Sequence, residues 1–302
     1  MEPSQLKDRL LFAIPKKGRL SECCLRLLGG ADVRFSRAHR LDIALSTNLP
    51  LALVFLPAND IAKFVGEGNV DIGLTGQDMV MENGVVANEL LELGFGKCSL
   101  CVQVPIDSQY TSIDQLIGKR IATSFETTAR RYFAARENGF DHDQTVSLMR
   151  DDVNHSVFSK PITTSVTYIG GSVETACTLG VADAIVDLVE SGATMKAAKL
   201  RPIGTLMKSQ AVLISNPKKQ ENADLIDKIR RRTQLVAAVK VTPGKRAPTV
   251  SPLENSEWVS VSSMVLKLNV VDIMDELTEI GAEDIIVCGI QNCRFNTANV
   301  NL

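Results

Sequence analysis

One stretch of the chain has residue types and spacing suited to holding a phosphorylated sugar. An apolar run at 184–186 is followed by Asp187, by a loop of small residues and by a helical segment over 195–200. Backbone N–H groups in such a loop, and at the start of the next helix, present positive partial charge to a phosphate. A carboxylate at the end of a buried strand needs a partner, and a ribose hydroxyl or a phosphate-bound Mg²⁺ would supply one. The loop residues are Ser191, Gly192, Ala193 and Thr194.

The same pattern also suits an ordinary strand–turn–helix joint, in which Ser191 or Thr194 is only the N-cap of the helix. Asp183 has the same strand parity as Asp187, but four residues of extended chain put roughly 13 Å between them. We therefore do not expect the two carboxylates to chelate one ion, and Asp187, which lies nearer the loop, is the stronger candidate. The residues alone leave the phosphate site and the plain joint as open alternatives.

The composition narrows the class of protein. The chain has 302 residues, a globular balance of 45% hydrophobic and 23% charged residues, and a formal net charge of −2. This length permits two or three domains, and the near-neutral charge gives no electrostatic case for a nucleic-acid or membrane partner. The longest apolar patch, at 49–58, is too short to span a bilayer, and the N-terminus has no apolar signal core. With seven scattered cysteines, which favour reduced thiols, we expect a soluble cytoplasmic protein.

Alternating strand and helix patterns predict an α/β protein with mainly parallel sheets. The predicted strands lie at 11–14, 41–46, 52–56, 70–74, 120–123, 165–169, 202–207 and 210–215. The predicted helices include one capped by Ser21, one capped by Asn59 or Asp60, and segments over 127–137 and 172–179. Residues 141–163 are polar and aperiodic, which predicts a surface excursion. Crossings near residues 97 and 208 predict two lobes with a ligand cleft between them.

Three further strand-to-helix junctions carry residues suited to binding an anion. Exposed basic residues are commonly only solvated, and Asp78, just after the second junction, could simply complement a helix dipole. The junction residues are Lys17, Gly18 and Arg19 at the first, Thr75 and Gly76 at the second, and Thr123, Ser124 and Thr127 at the third.

Several segments together resemble the long, fungal-like form of ATP phosphoribosyltransferase, the first enzyme of histidine biosynthesis. The resemblance covers nearly the whole chain in the right order, and is therefore far more specific than the loop alone. The matching segments are IPKKGRL (14–20), VDIGLTGQDMV (70–80), RIATSFETTARRYF (120–133), GGSVETACTLGVADAI (170–185), DLVESGATM (187–195), VTPGKRAPTVSPLE (241–254) and WVSVSSMV (258–265).

The resemblance implies two lobes similar to the periplasmic binding proteins, followed by a ferredoxin-like (ACT-like) regulatory domain. The first lobe would cover residues 1–96 and be completed by about 206–220, the second 97–205, and the regulatory domain 221–302. The implied reaction joins ATP to 5-phosphoribosyl-1-pyrophosphate (PRPP), giving N1-(5-phosphoribosyl)-ATP and pyrophosphate. It further implies Mg²⁺ as cofactor, with no metal ligand assigned directly to the protein, and a dimeric or hexameric homo-oligomer inhibited by histidine.

The resemblance also implies roles for individual residues. Residues 191–194 would hold the 5-phosphate, Asp187 the ribose hydroxyls, and Lys17 and Arg19 would face ATP or pyrophosphate. Glu174 would either orient the ribose or merely lie in the first turn of a helix. The remaining implied contacts are Gly18, Thr75, Gly76 and Thr123 for substrate and Thr249 for the effector.

The carboxyl-terminal part departs from the family pattern. It predicts a linking helix over 223–232, a hairpin from 248–253 and 258–265, a helix over 270–280 and a strand over 284–288, in the order β–β–α–β. The first strand of a βαββαβ unit is absent, because the chain passes at 234–235 directly into the end of the domain's first helix, at 235–241. A few tens of residues are missing relative to the family.

In the family, the loop after this missing strand contributes to histidine binding, so the departure puts feedback inhibition and oligomer assembly in question. A non-catalytic two-lobed binding protein and an inactive isoform are the alternatives to the enzyme. A short-form enzyme with a separate regulatory subunit is disfavoured, because residues 241–302 are present.

Overall fold

The computed structural model describes residues 5–37, 41–151, 155–219, 222–241, 249–252, 259–262, 270–279, 282 and 284–289. Its strands are β1 (Leu10–Pro15), β2 (Ile43–Leu45), β3 (Leu51–Leu56), β4 (Ile72–Gly76), β5 (Asn88–Glu92), β6 (Cys98–Pro105), β7 (Arg120–Thr123), β8 (Ser165–Tyr168), β9 (Ala184–Val189), β10 (Leu200–Ser209), β11 (Ala211–Ser215), β12 (Thr249–Pro252) and β13 (Val259–Ser262). Its helices are α1 (Arg19–Gly30), α2 (Ala58–Gly66), α3 (Gln77–Asn83), α4 (Glu126–Glu137), α5 (His142–Asp151), α6 (Ala193–Ala197), α7 (Ala223–Val241) and α8 (Val270–Glu279). Short 3₁₀ turns lie at Ile113–Leu116, Ser156–Ser159 and Val173–Thr175.

The first lobe is built on a six-stranded sheet with the order β2-β3-β1-β4-β11-β5. Side chains alternate across it, so Phe12 packs with α1 residues on one face while Ala13 packs with α2 residues on the other. β1 is parallel to β3 and β4, but β2 and β11 are antiparallel to their neighbours. The expected mainly parallel sheet is therefore wrong here. A short turn joins β2 to β3, and β11 arrives from the other lobe, so neither has the helical crossover that parallel pairing needs.

The second lobe has a five-stranded sheet with the order β10-β6-β9-β7-β8. β7 is parallel to β8 and β9, whereas β6 is antiparallel to β9 and β10. Its strands are consecutive in the chain, from Cys98 to Ser209. The chain enters this lobe between β5 and β6 and leaves it at Gln210, the single residue between β10 and β11, so two crossings join the lobes as expected.

Two predicted elements of the second lobe are wrong. The supposed surface excursion at 141–163 contains α5, which packs against α4 through buried Thr145 and Met149. The helix predicted over 172–179 is only a 3₁₀ turn, because Ser172 at its start has left-handed backbone (φ 52°). The turn places Val173 in the core and leaves the next residue, Glu174, partly exposed.

The predicted helix caps are also wrong. α1 begins at Arg19 and α2 at Ala58, so Ser21, Asn59 and Asp60 lie inside the helices and not at the N-cap positions. Neither helix has a side-chain cap. No helix among the described residues is long and apolar enough to cross a membrane.

The carboxyl-terminal region confirms part of the predicted pattern. α7 runs through residues 234–235 without a break, and β12 pairs with β13 in antiparallel register, with Thr249 opposite Ser262. The strand predicted over 284–288 is wrong, because this segment pairs with no strand in the described part of the chain. Two of its apolar residues are exposed, Ile286 by 81% and Val287 by 56%.

Candidate active site

Asp187 lies in the middle of the second sheet. β9 continues to Val189, so Asp187 is its fourth residue and not its last, and it lies opposite Cys101 of β6. The side chain is part-buried, and its Oδ1 accepts a hydrogen bond from the Leu188 N–H at 2.8 Å. Burial raises the pKa of Asp187, the Leu188 amide opposes this, and the charge of Glu174 raises it further. The structure therefore brings Asp187 and Glu174 close enough to interact.

The loop after β9 presents backbone N–H groups at the carboxyl edge of the sheet. Gly192 adopts left-handed backbone (φ 73°) and is the N-cap of α6, which begins at Ala193, two residues earlier than predicted. The first N–H groups of a helix have no carbonyl partner within it, and here Ser191, Ala193 and Thr194 are exposed. The Ser191 hydroxyl accepts only a long hydrogen bond, 3.4 Å, from the Ala193 N–H. The arrangement can receive a phosphate with little rearrangement.

The basic turn of the first lobe meets this loop. Lys17 is exposed and forms no ion pair with any described residue. Gly18 has a φ of 88° and lets the chain turn directly into α1. Arg19, the first residue of α1, places its Nη1 2.9 Å from an Oε2 of Glu190, which follows β9. The two predicted anion-binding segments, from different lobes, therefore contact each other, and sequence reasoning missed Glu190 as their link.

The junction after β4 is more buried than the sequence indicated. Thr75 is fully buried, and its hydroxyl donates to the Ala58 carbonyl at 3.4 Å. Gly76 closes the strand, and a side chain there would collide with the carboxylate of Asp78, 2.1 Å from the position of its Cβ. Gly76 is required for this close approach, while the Thr75 hydroxyl already has a partner in the protein.

Thr123 is likewise engaged within the protein. Its hydroxyl donates to the Val186 carbonyl at 2.7 Å and accepts from the Phe125 N–H at 2.8 Å. The side chain is fully buried. Thr123 therefore joins β7 to β9 and shapes the loop before α4.

The anion position predicted after β7 holds a carboxylate of the protein itself. Glu82, from α3 of the first lobe, accepts from the N–H groups of Thr127 and Thr128, each at 2.9 Å, and from the Thr128 hydroxyl at 2.7 Å. Nearby Ser124 donates to the Ile169 carbonyl. The sequence correctly indicated an anion at this helix N-terminus, but nothing in its spacing pointed to Glu82.

Asp183 has a different environment from Asp187. It accepts from the Arg120 guanidinium, with Nη2 2.9 Å from Oδ1, and from the Arg120 N–H at 3.0 Å. These hydrogen bonds hold the pKa of Asp183 below its usual range, whereas burial raises the pKa of Asp187. Asp183 fastens the start of β9 to β7, which leaves Asp187 as the carboxylate available to a ligand.

Comparison with known proteins identifies the family. A family model described as ATP phosphoribosyltransferase matches residues 57–235, more than half of the chain, and one described as HisG, C-terminal domain, matches residues 225–292. The chain belongs to the ATP phosphoribosyltransferase family. It is 49% identical to the ATP phosphoribosyltransferase of Eremothecium gossypii over 309 residues, with 96% of this chain and 98% of the relative covered. The Yarrowia lipolytica protein of the same name is also 49% identical, over 310 residues and with the same coverage.

One solved structure supports the fold independently. The ATP phosphoribosyl transferase (HisG:HisZ) complex from Thermotoga maritima contains a chain that matches with a TM-score of 0.60 at 21% identity. The match covers 77% of this chain and 100% of that chain. At this identity the likeness concerns the fold alone, and it agrees with the two α/β lobes described above.

Changing Gly192 to alanine tests the loop geometry of this family member. A Cβ at Gly192 would meet only ordinary contacts, 3.6 Å to Met195 Cε, so the cost comes from the left-handed backbone, about 1–2 kcal/mol. We expect relaxation of the loop to raise the KM for PRPP by about 10-fold. Steady-state kinetics and urea unfolding measure the two effects. The control is Gly29→Ala, where the added Cβ meets no atom within 4 Å, and a KM for PRPP unchanged in Gly192→Ala would contradict the prediction.

Asp78 gives the protein a pH-dependent contribution to stability. Its carboxyl is buried, with the Ser209 hydroxyl donating to Oδ1 at 2.5 Å. Burial raises the pKa of Asp78, and the hydrogen bonds from Ser209 and from backbone amides oppose the rise. The folded state therefore keeps the proton above the usual value of 3.8, and stability is lost as pH rises from there through the raised pKa.

An Asp78→Asn variant removes this titration. Relative to wild type, we expect the free energy of unfolding of the variant to increase as the pH rises above 3.8, because only wild type loses stability there. Urea unfolding at several pH values measures the difference. Asp183→Asn is the control of opposite sign: its pKa is lowered in the folded state, so its stabilising effect is lost only as the pH falls below 3.8, and its difference from wild type should stay nearly constant above that pH. A difference between Asp78→Asn and wild type that does not change with pH would show that burial does not disfavour the charged form.

Proposed function

We propose that this protein condenses ATP with PRPP to N1-(5-phosphoribosyl)-ATP and pyrophosphate, the first step of histidine biosynthesis. The observation that carries the proposal is the loop at 190–194, which lies beside Asp187 on one lobe and contacts Arg19 of the other. Groups from the two lobes that lie this close together can bind two anionic substrates at once. Membership of the ATP phosphoribosyltransferase family supports the same reaction.

The chemistry requires no nucleophile from the protein. N1 of adenine attacks C1 of the ribose, the bond to pyrophosphate breaks, and the leaving group takes the electron pair. The protein's contribution is to align the substrates and to stabilise charge, and alignment alone supplies about 7–11 kcal/mol of a barrier in favourable cases.

Each site residue has a role in this proposal. The N–H groups of residues 191–194 bind the 5-phosphate, and Asp187 accepts hydrogen bonds from the ribose hydroxyls. Glu174, whose charge raises the pKa of Asp187, orients the ribose. Lys17 and Arg19 face ATP or the departing pyrophosphate. Because Arg19 is 84% exposed, its contact with Glu190 is weak and easily exchanged for one with a substrate anion.

In the proposed reaction, Mg²⁺ binds together with the substrate. The described residues contain no group of three or more His, Cys, Asp or Glu side chains able to hold a metal. Mg²⁺ is commonly bound by one or two carboxylates together with substrate phosphates. We propose that it arrives on the pyrophosphate of PRPP, where it would neutralise charge, and no step above depends on a protein-held ion.

The carboxyl-terminal domain is proposed to be an incomplete regulatory unit. Its match to the HisG C-terminal model supports the domain type. The unbroken α7 and the exposed side chains of Ile286 and Val287 support the proposal that a strand is missing. Since 96% of 302 residues is about 290, about 19 of the 309 aligned positions have no residue in this chain. We also propose a cytoplasmic homo-oligomer, in keeping with the free thiols of the described cysteines.

Turnover by the purified protein tests the reaction. With ATP, PRPP and Mg²⁺, the protein is expected to form phosphoribosyl-ATP and pyrophosphate in equal amounts. Chromatography measures both products. A folded protein that binds the substrates but releases no pyrophosphate would be a two-lobed binding protein or an inactive isoform, and would overturn the proposal.

A further inference from the structure

Glu82 joins the two lobes at a place separate from the crossings of the chain and from the Arg19–Glu190 pair. Glu82 uses both carboxylate oxygens there: Oε1 accepts from the Thr127 N–H, and Oε2 accepts from the Thr128 N–H and hydroxyl. α4 has no side-chain cap of its own, because Phe125 occupies its N-cap position. A carboxylate of the first lobe thus caps the N-terminus of α4 in the second lobe.

Apolar packing reinforces the same contact. Met79 and Met81, on α3 with Glu82, pack into the core cluster of the second lobe. Arg131 of α4 reaches back and donates to the Met81 carbonyl at 3.3 Å. Since Val80 of α3 packs with α2 in the first lobe, α3 is packed between the two lobes and not against one alone.

This contact lies between the elements that carry the site. α3 follows directly after Gly76 at the end of β4, whereas α4 follows β7, whose Thr123 is opposite Val186, the residue before Asp187. A shift of α3 against α4 would move the first lobe's sheet relative to β9 and its loop.

We propose that Glu82 is a positioning residue, which sets the placement of the two lobes and hence the separation between the Lys17–Arg19 turn and the 191–194 loop. Both oxygens of Glu82 accept N–H groups, and a glutamine has only one such oxygen. The NH₂ group of the glutamine would face an N–H donor of Thr127 or Thr128. Glu82→Gln therefore breaks part of the contact while keeping the side-chain shape.

The experiment compares two ligands by calorimetry, and it rests on the proposed function. Under the proposed function, phosphoribosyl-ATP contacts both lobes, while ribose 5-phosphate contacts only the second lobe, at Asp187 and the 191–194 loop. We expect Glu82→Gln to lower the affinity for phosphoribosyl-ATP about 10-fold and to leave the affinity for ribose 5-phosphate nearly unchanged. In kinetics the KM values for ATP and PRPP should rise more than kcat falls. Glu82→Asp, with both oxygens kept, should restore part of the affinity.

Glu126→Gln is the matched control. Glu126 is the acid in the first turn of α4 itself; it pairs with Arg130 of the same helix, and it has no hydrogen bond or ion pair to the first lobe among the described residues. The Glu126→Gln variant should keep the wild-type ratio between the affinities for phosphoribosyl-ATP and ribose 5-phosphate. Equal loss of both ligands in Glu82→Gln, or no loss of either, would overturn the inference. A wild-type protein without turnover or phosphoribosyl-ATP binding would instead count against the proposed function, so the two failures are distinguishable.

Discussion

An Asp187→Asn variant is expected to lose about 100-fold in kcat/KM for PRPP while remaining folded. Hydrogen bonds to a charged group contribute about 1.5–3 kcal/mol each. In the asparagine variant, the two proposed hydrogen bonds from the ribose hydroxyls would no longer go to a charged group. Burial already makes the Asp187 carboxylate costly in the folded protein, so its removal should not lower the free energy of unfolding. Steady-state kinetics at limiting PRPP and urea unfolding measure the two effects.

The pH profile separates this role from a structural one. As the pH is lowered, protonation of Asp187 should weaken the binding of PRPP to wild type. Because the pKa of Asp187 is raised, this loss of affinity should begin at a higher pH than for an ordinary carboxyl. The asparagine variant should lack this limb of the profile.

Asp183→Asn is the matched control for Asp187→Asn. It changes the same residue type four positions earlier, where the partner is Arg120 and not a ligand. We expect a loss of stability with an unchanged KM for PRPP. Full turnover by Asp187→Asn at low PRPP, or an equal loss by Asp183→Asn, would remove Asp187 from the site.

Histidine at millimolar concentration is expected not to slow turnover of this protein. The proposed regulatory domain pairs only β12 with β13 among its described residues, and a two-stranded sheet is marginal by itself. The resemblance to the family implies that the effector loop follows the strand that this chain is proposed to lack. Initial rates over a histidine titration test this, with inhibition by added pyrophosphate as the control that the assay responds. Saturable inhibition by histidine would show that the effector site survives without that strand.

A chimera sharpens the test. In this chimera, the strand and effector loop that the chain is proposed to lack are taken from the Eremothecium gossypii relative and inserted after Gln234, within α7. If the absent segment carries the effector site, the chimera should gain a histidine response and the parent protein should lack one. A chimera that turns over normally and stays insensitive would locate the cause elsewhere.

Sequence patterns predicted the β–α units well, because their strands are continuous apolar runs. β1, β3 and β7 lie within one residue of their predicted ends. The joint from Asp187 to Thr194 was also found, although β9 extends through apolar Leu188 and Val189, where β6 still offers a partner.

The elements missed from the sequence bury few apolar residues. α5 turns Thr145 and Met149 inward, one of them polar, so it shows no apolar period. β5 is an edge strand with mostly polar residues, paired with β11 alone. Glu82 and Glu190 look like ordinary surface acids in the sequence, because the groups that they contact belong to the other lobe.

The insertion of the second sheet between β5 and β11 has a consequence for the order of folding on the ribosome. β11 lies between β4 and β5, so β5 has no strand to pair with until residues 211–215 have been made. At about 5–20 residues per second, translation from Glu92 to Ala211 takes roughly 6–24 s. The second lobe, continuous from Cys98 to Ser209, can fold in that interval, while the edge of β4 stays open to chaperones or to wrong partners.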